Sequence, residues 1–265
     1  MRIATWNING VRARVETLER WLKEQAPDVV CLQEIKCQDD SFPVEIPDGL
    51  SYNHVIHGQK SFNGVAVLSK HPIEVVRRGL PDFDDGAAPD EQARYLEVLV
   101  LPKDKPAIRV ASIYLPNGNP IGTEKFDYKL RFMRRLEAHI KSLLELEEIL
   151  LLGGDYNVIP EADDVHDPAA WAGDALFQPV TRANFRRLLN LGLTDAFSAI
   201  DGRGHQYTFW DYQAGAWQKD NGIRIDHWLL SPFAADRLQS LTIDRMTRAW
   251  DKPSDHVPVI VEVAV

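Results

Sequence analysis

Apolar residues along this chain gather into short runs that stop abruptly at polar ones. Ile3-Ala4-Thr5-Trp6, Val29-Val30-Cys31-Leu32, Val110-Ala111-Ser112-Ile113 and Leu150-Leu151-Leu152 are such runs. Short segments rich in Val, Ile and Leu and bounded by Gly, Pro, Asn or Asp read as β-strands. Strands are therefore expected at Arg2–Asn7, Asp28–Gln33, Gly64–Ser69, Tyr95–Leu101, Ile108–Tyr114, Ile149–Gly153, Arg224–Leu230 and Val257–Val265. Helices are expected at Val15–Gln25, Thr123–Glu147 and Thr181–Leu191. In the middle helix Phe126, Leu130, Met133, Leu136 and Ile140 keep a spacing of three or four, an apolar stripe, and Thr123 stands where a cap belongs. The segment from Pro160 to Pro179 has little periodicity, and a loop of that length in a compact domain is often functional. The mixture predicts an α/β protein with two sheets packed face to face and covered by helices, with a doubly wound sheet as the alternative.

At 265 residues and 45% hydrophobic content, the chain can bury a sizeable core, and one α/β domain spanning 1–265 is expected. No run of about 18 apolar residues predicts a membrane span, and the start, Met1-Arg2-Ile3-Ala4-Thr5, has no apolar leader core. Of the two cysteines, Cys31 lies inside an apolar run and reads as a buried thiol, and with Cys37 it makes no metal-binding spacing. That usage fits a reducing compartment.

The net charge of −9 argues mildly against nucleic acid as a partner. Positive charge is nevertheless gathered locally, at Lys125, Lys129, Arg131, Arg134 and Arg135 and again at Arg182, Arg186 and Arg187. These are candidate phosphate contacts, and solvated helix faces are the plainer alternative.

Candidate chemistry sits where the apolar runs end. The first ends in Asn7, the second in Gln33-Glu34, the third in Tyr114 and the fourth in Gly153-Gly154-Asp155-Tyr156-Asn157. Ile223-Arg224-Ile225 delivers Asp226, and Lys252-Pro253-Ser254 delivers Asp255-His256. One Asp or Asn after a strand is ordinary turn chemistry. Six strand ends bearing carboxylates, amides, a phenol and an imidazole are expected to converge on one rim. Breaking a phosphodiester needs charge neutralised on the phosphate, an aligned nucleophile and a stabilised leaving oxygen. Glu34 and Asp255, with Asn7 nearby, are hard oxygen ligands suited to Mg²⁺ or Mn²⁺. Asp155 with Asn157 suits positioning and deprotonation of water. His256 with Asp226 suits an oriented imidazolium, and Tyr114 suits donation to developing charge.

The stretches Trp6-Asn7-Ile8-Asn9-Gly10-Val11-Arg12-Ala13-Arg14, Leu32-Gln33-Glu34-Ile35-Lys36, Asn63-Gly64-Val65-Ala66, Gly154-Asp155-Tyr156-Asn157, Tyr207-Thr208-Phe209-Trp210-Asp211-Tyr212, Arg224-Ile225-Asp226-His227 and Lys252-Pro253-Ser254-Asp255-His256 run in order from residue 6 to residue 256. In that order they resemble the exonuclease III family of abasic-site endonucleases, within the fold shared with deoxyribonuclease I. The resemblance implies a four-layered α/β sandwich, two packed mixed β-sheets flanked by helices. It implies Mg²⁺ dependence, with Mn²⁺ substituting, and hydrolysis 5′ to abasic sites with 3′ to 5′ exonuclease and 3′-phosphatase activity. By the resemblance Glu34 is the main metal ligand, with Asn7, Asp255, Asp155 and Asn157 beside it. Asp155 activates water, Asn157, Tyr114 and Asn117 hold the phosphate, His256 binds it, and Asp226 is the partner of His256. Arg94 resembles a basic residue near the DNA strand, and Phe209 the aromatic that closes a pocket for the baseless sugar. Ile223 and Ile225 are expected on one strand face beside Phe209, with Trp210 as a further substrate contact. The expected partner is double-stranded DNA with abasic sites or blocked 3′ ends, met by a monomer in a bacterial cytoplasm and not at a membrane. The loop Leu115-Pro116-Asn117-Gly118-Asn119-Pro120 lacks the Lys or Arg that some family members insert into DNA. Two rivals are another phosphoesterase of the same superfamily and a binding module that keeps only the scaffold.

Overall fold

The eight expected strands are the inner strands of two six-stranded sheets. The computed structural model describes residues 1–82 and 89–265. Its strands are β1 (Arg2–Asn7), β2 (Val29–Gln33), β3 (Asn53–His57), β4 (Val65–Ser69), β5 (Ile73–Arg78), β6 (Tyr95–Val100), β7 (Ile108–Tyr114), β8 (Leu150–Asp155), β9 (Thr194–Asp195), β10 (Asp226–Leu230), β11 (Leu238–Ile243) and β12 (Val259–Val263). Helices are α1 (Val15–Gln25), α2 (Glu45–Gly49), α3 (Glu124–Leu144), α4 (Pro168–Trp171), α5 (Pro179–Asn190), α6 (Ala196–Ile200) and α7 (Pro232–Ala235). One sheet runs β11-β12-β1-β2-β4-β3 and the other β5-β6-β7-β8-β10-β9. The doubly wound alternative is excluded, because the β1–β2 and β7–β8 pairs are parallel while their neighbours are antiparallel.

Alternation explains the layering. On β2, Val29 and Cys31 point into the core between the sheets, while Val30 and Leu32 point outward. The outward residues pack beneath α1 through Leu18, Trp21 and Leu22. Across the sandwich, Leu150 and Leu152 of β8 meet α3 through Phe132, Met133, Leu136 and Ile140, while Leu151 faces inward. Both faces of each inner strand are thus buried, and every such Val, Leu or Ile contributes about 1.5–3 kcal/mol. The result is the four-layered sandwich. Among the described residues no helix is long and apolar enough to cross a membrane.

A polar clip joins the sheets. Gln33 Nε2 donates to Ser112 Oγ at 2.9 Å, and Ser112 Oγ donates to the Leu32 carbonyl at 3.0 Å. Both residues are fully buried, and they fix the two sheets together just behind Glu34 and Tyr114.

Three local expectations change. Thr123 stands at the start of α3, but its hydroxyl donates to the Pro120 carbonyl at 2.7 Å and caps nothing. Lys129 and Arg135 are not on a solvated face: both are buried, Arg135 against Asp90 and the carbonyls of Leu80 and Pro81. The strand expected from Arg224 begins at Asp226. Arg224 is buried and its guanidinium bonds Asp164 at 2.7 Å and Asp195 at 3.1 Å. That ion cluster anchors the weakly periodic segment after Pro160, whose Val165, Ala175 and Leu176 pack on Ile223 and Ile225.

Candidate active site

The C-terminal ends of the parallel pairs meet at one rim. Asn7 closes β1, Glu34 follows β2, Tyr114 closes β7 and Asp155 closes β8. Asp226 enters from the start of β10, directly opposite Asp155 in the ladder. His256 arrives on the turn before β12 and forms a bridge with Phe209. Two glycines make the approach to Asp155 possible. A Cβ on Gly153 would lie 2.4 Å from the Trp228 ring, and one on Gly154 would lie 1.9 Å from the Ile113 carbonyl oxygen.

Asp155 is the crossing point of the hydrogen bonds. Asn7 Nδ2 donates to its Oδ2 at 3.0 Å and to Glu34 Oε2 at 2.9 Å. The Asn157 main chain donates to Asp155 Oδ1 at 2.9 Å, and Asn157 Nδ2 reaches Oδ2 at 3.2 Å. His256 Nδ1 donates to Asp226 Oδ2 at 2.9 Å, which leaves its Nε2 facing Asp155 Oδ2 at 3.8 Å. On the other flank Lys36 Nζ lies 2.8 Å from Glu34 Oε1 and donates to Asn9 Oδ1. Asn9 Nδ2 in turn donates to Asp255 Oδ1 at 3.0 Å. One continuous arc of contacts therefore runs from Asp255 through Asn9, Lys36, Glu34 and Asn7 to Asp155. The backbone is left-handed at Asn9, Glu34, Lys36 and Asn157, with φ of 47°, 53°, 54° and 47°. Non-glycine residues in that region gather at functional sites, where surrounding structure holds them in place.

Charge placement sets the protonation states. Burial and the neighbouring Asp226 push the Asp155 carboxyl up to about 7, against the pull of His256. Burial works against the His256 imidazolium, but Asp226 and Asp155 raise it to about 10. Burial also acts on Glu34, yet Lys36 and Asn7 hold it below the usual carboxylate value. Burial, then the charges of Glu34 and Asp155, raise Tyr114 far above its ordinary value, so it keeps its proton. Asp155, Asp226 and His256 offer ligand atoms within 4.8 Å of one another. An imidazolium has no lone pair for a metal, so His256 offers no donor while it keeps its proton, and the two carboxylates do. Glu34, Asp255 and Asp155, with the Asn7 amide, are the hard oxygen donors of the rim, a donor type suited to a divalent cation, although the three carboxylates do not all lie within 4.8 Å of one another. Four carboxylates stand there, Glu34, Asp155, Asp226 and Asp255; Lys36 and His256 pair with them directly, while Arg14 joins the arc through the Asn9 carbonyl and Arg248 lies near Asp255.

The sequence profile of the endonuclease/exonuclease/phosphatase family matches residues 4–256. The chain belongs to that family. It is 34% identical over 270 residues to exodeoxyribonuclease III of Haemophilus influenzae, covering 99% of each chain. A Neisseria 3′-phosphatase solved with a product DNA hairpin superposes with a TM-score of 0.93 at 34% identity, covering 100% of both chains. An AP endonuclease from Archaeoglobus fulgidus superposes at 0.92 with 33% identity, again over 100% of both.

Against this endonuclease/exonuclease/phosphatase frame, the expected residues fall into two groups. Asn7, Glu34, Asp155, Asn157, Asp226 and His256 share direct contacts, and Asp255 joins them through Asn9. Asn117 is exposed and donates to Asn157 Oδ1 at 3.3 Å. Arg94 stacks its guanidinium 4.8 Å over the Tyr114 ring. The Phe209 ring meets the His256 ring edge-on at 5.0 Å and is partly exposed. Ile223 and Ile225 are buried beneath it, the floor of an apolar cluster on which Phe126, Trp171 and Phe177 also pack, partly exposed like Phe209. Trp210 does not fit a substrate contact: it is fully buried, packs against Trp217 and donates to Asp220.

The second basic group lies on a solvated face, its arginines held in surface ion pairs. Arg182 and Arg186 pair with Glu161, and Arg187 pairs with Glu137. The sequence alone assigns no role to Lys36 or Asn9, although both stand inside the quoted motifs. It also assigns none to Ser254, which accepts from the His256 main chain and donates to the Asn7 carbonyl at 2.7 Å.

Proposed function

We propose that this protein is a DNA-repair phosphodiesterase that cuts duplex DNA 5′ to abasic sites and trims blocked 3′ ends. The observation that carries this is the single network around Asp155, in which a base, an imidazolium and an acidic, oxygen-rich flank surround one point. A divalent cation, Mg²⁺ with Mn²⁺ as substitute, supplies charge neutralisation when held by Glu34 with Asn7 and Asp255.

The chain's own groups perform the remaining work. Asp155, with its carboxyl raised toward neutrality, accepts a proton from an attacking water. Asn7 and Asn157 hold that carboxylate in one orientation by donating to it. His256, clamped by Asp226, presents its Nε2 proton to a phosphate oxygen and keeps its charge near neutral pH. Tyr114, which keeps its proton, donates a hydrogen bond to charge growing on the phosphoryl group while the bond from phosphorus to the leaving 3′ oxygen breaks and that oxygen takes a proton from solvent. Phe209 covers the apolar floor of Ile223 and Ile225, a surface suited to a sugar without a base. The Neisseria 3′-phosphatase and the Archaeoglobus AP endonuclease support both parts of this activity. A monomer acting in the bacterial cytoplasm completes the proposal.

The test is incubation with a duplex carrying one abasic site, with and without EDTA. A strand break at the abasic site that EDTA abolishes is the expected result. No break in the presence of Mg²⁺ or Mn²⁺ would overturn the proposal. Equal cutting along an intact duplex would favour a general nuclease of the same superfamily.

A further inference from the structure

Lys129 lies on the inner face of α3, one turn from Phe126 and from Met133, and its side chain is wholly buried. A buried ammonium normally pairs with a carboxylate or loses its charge. Here Nζ donates instead to three main-chain carbonyls: Pro116 at 3.1 Å, Asn117 at 3.0 Å and Asn157 at 2.6 Å. In the ammonium form three donors meet three acceptors, while burial lowers the group to about 7 against the pull of Asp155 and Asp174. The carbonyls belong to two different loops. Pro116 and Asn117 follow β7, and Asn157 follows β8. The same loops are laced by side chains, with Asn157 Nδ2 donating to the Leu115 carbonyl at 2.9 Å and Asn117 Nδ2 to Asn157 Oδ1 at 3.3 Å. The first loop also wraps closely on the lysine stem. Gly118 has a φ of 87°, and a Cβ there would lie 2.5 Å from Lys129 Cδ.

The geometry points to Lys129 as a positioning residue for phosphodiester cleavage, a buried strut that sets the distance between the loops bearing Asn117 and Asn157. This rests on the reading of those two amides as phosphate contacts. Without the ammonium, three carbonyl oxygens converge on an apolar space with no donor between them, and the loops must part. A displacement on the order of 1 Å at groups that touch the reacting phosphate lowers turnover about 10²-fold. Lys129 itself touches no substrate.

The test compares Lys129→Met, which keeps the stem and removes the donors, with Leu136→Ala, a core change on the same helix. Melting temperature, kcat and KM on an abasic-site duplex are measured for both, well below either melting point. Lys129→Met is expected to lose kcat about 10²-fold with KM changed by about threefold or less, while Leu136→Ala melts early and keeps kcat. In ¹⁵N-labelled protein without substrate, the side-chain amide resonances of Asn117 and Asn157 are expected to shift in Lys129→Met and stay in place in Leu136→Ala. Equal kcat for the two variants, or unmoved amide resonances, overturns the inference. Should Lys129→Met fail to fold, Gly118→Ala pushes the loop off the stem without removing a polar group. It is expected to lower kcat about tenfold, on the same sensitivity to placement, and an unchanged kcat overturns the inference. A wild-type protein that leaves the abasic duplex uncut removes the functional reading, and the amide resonances still decide the strut.

Discussion

Two buried carboxylate–imidazole pairs lie on opposite sides of the second sheet's layer, and they end differently. In the first, Glu97 on β6 meets His139 of α3 at 2.7 Å, accepts from Tyr95 at 2.7 Å and pairs with Arg109 at its other oxygen. Arg109 continues to Glu148, so each charge in this cluster faces an opposite one. In the second, Asp226 holds His256, but His256 Nε2 and Asp155 stop 3.8 Å apart at the rim. Both histidines even carry an aromatic edge contact, Tyr95 at 5.5 Å and Phe209 at 5.0 Å. The difference lies in what is left over. The first cluster sets each of its buried charged groups against a partner within the fold. The second keeps a proton, a base and a carboxylate-rich flank turned toward whatever enters. Buried charge alone therefore does not mark a catalytic site, and incomplete internal satisfaction is the better sign.

The largest test of this contrast is Asp155→Asn. It keeps the size and loses the base, so kcat on abasic DNA is expected to fall about 10³-fold while DNA affinity stays near wild type. Turnover close to wild type would place the general base elsewhere. The mirror change is Glu97→Gln, which breaks a buried pair and leaves Arg109 and His139 without their full partner. Denaturant melts should register a loss of about 3 kcal/mol, with kcat held within about twofold at a temperature where the protein is folded. A kcat loss as large as that of Asp155→Asn would erase the distinction between the clusters.

The pH dependence sharpens it further. His256 is raised in the fold from 6.5 to about 10, so the stabilisation from its charged form is complete below pH 6.5 and fades as pH rises through about 10. The alkaline limb of kcat/KM should follow that loss, and Asp226→Asn should move the limb toward neutrality by about 1–3 pH units. An unmoved limb would assign it to another group. The smallest effect belongs to Phe209→Ala, which opens the apolar cover over Ile223 and Ile225. The ratio of kcat/KM on abasic and intact duplexes should fall about tenfold, with a melting curve taken alongside. Early melting with a wild-type ratio would make Phe209 a core residue like Tyr95.

What the sequence disclosed and what it hid follow one physical rule. All eight inner strands were legible, because burial on both faces writes a continuous apolar run. The strands that escaped, β3, β5, β9 and β11, are the four sheet edges. Ile73-Glu74-Val75-Val76-Arg77-Arg78 is largely exposed, and Thr194-Asp195 is two residues long, so neither carries that signature. The convergence of the candidate groups was legible for a related reason, since Asn7, Glu34, Tyr114 and Asp155 stand where inner strands stop, and Asp226 and His256 where others start. Lys129 was misjudged as a surface charge. Its spacing of three from Phe126 and four from Met133 had put it on the apolar stripe, and that register outweighs the usual behaviour of lysine. Trp210 was misjudged in the other direction, since a motif shared with site residues does not say which side chains point out. The pairing of Arg182, Arg186 and Arg187 with distant glutamates lies beyond any local pattern.

The left-handed backbone at Asn9, Glu34, Lys36 and Asn157 bears on how such a protein can be improved. Each of these residues occupies a conformation that costs roughly 1–3 kcal/mol for a side-chain-bearing residue and that glycine adopts freely. Selection for heat tolerance alone therefore pulls these positions toward glycine, while selection for repair pulls them back. The fold can be hardened at its edge strands and surface helices without this conflict. At the rim, durability and turnover compete for the same few residues, and that competition limits how rugged a working version can become.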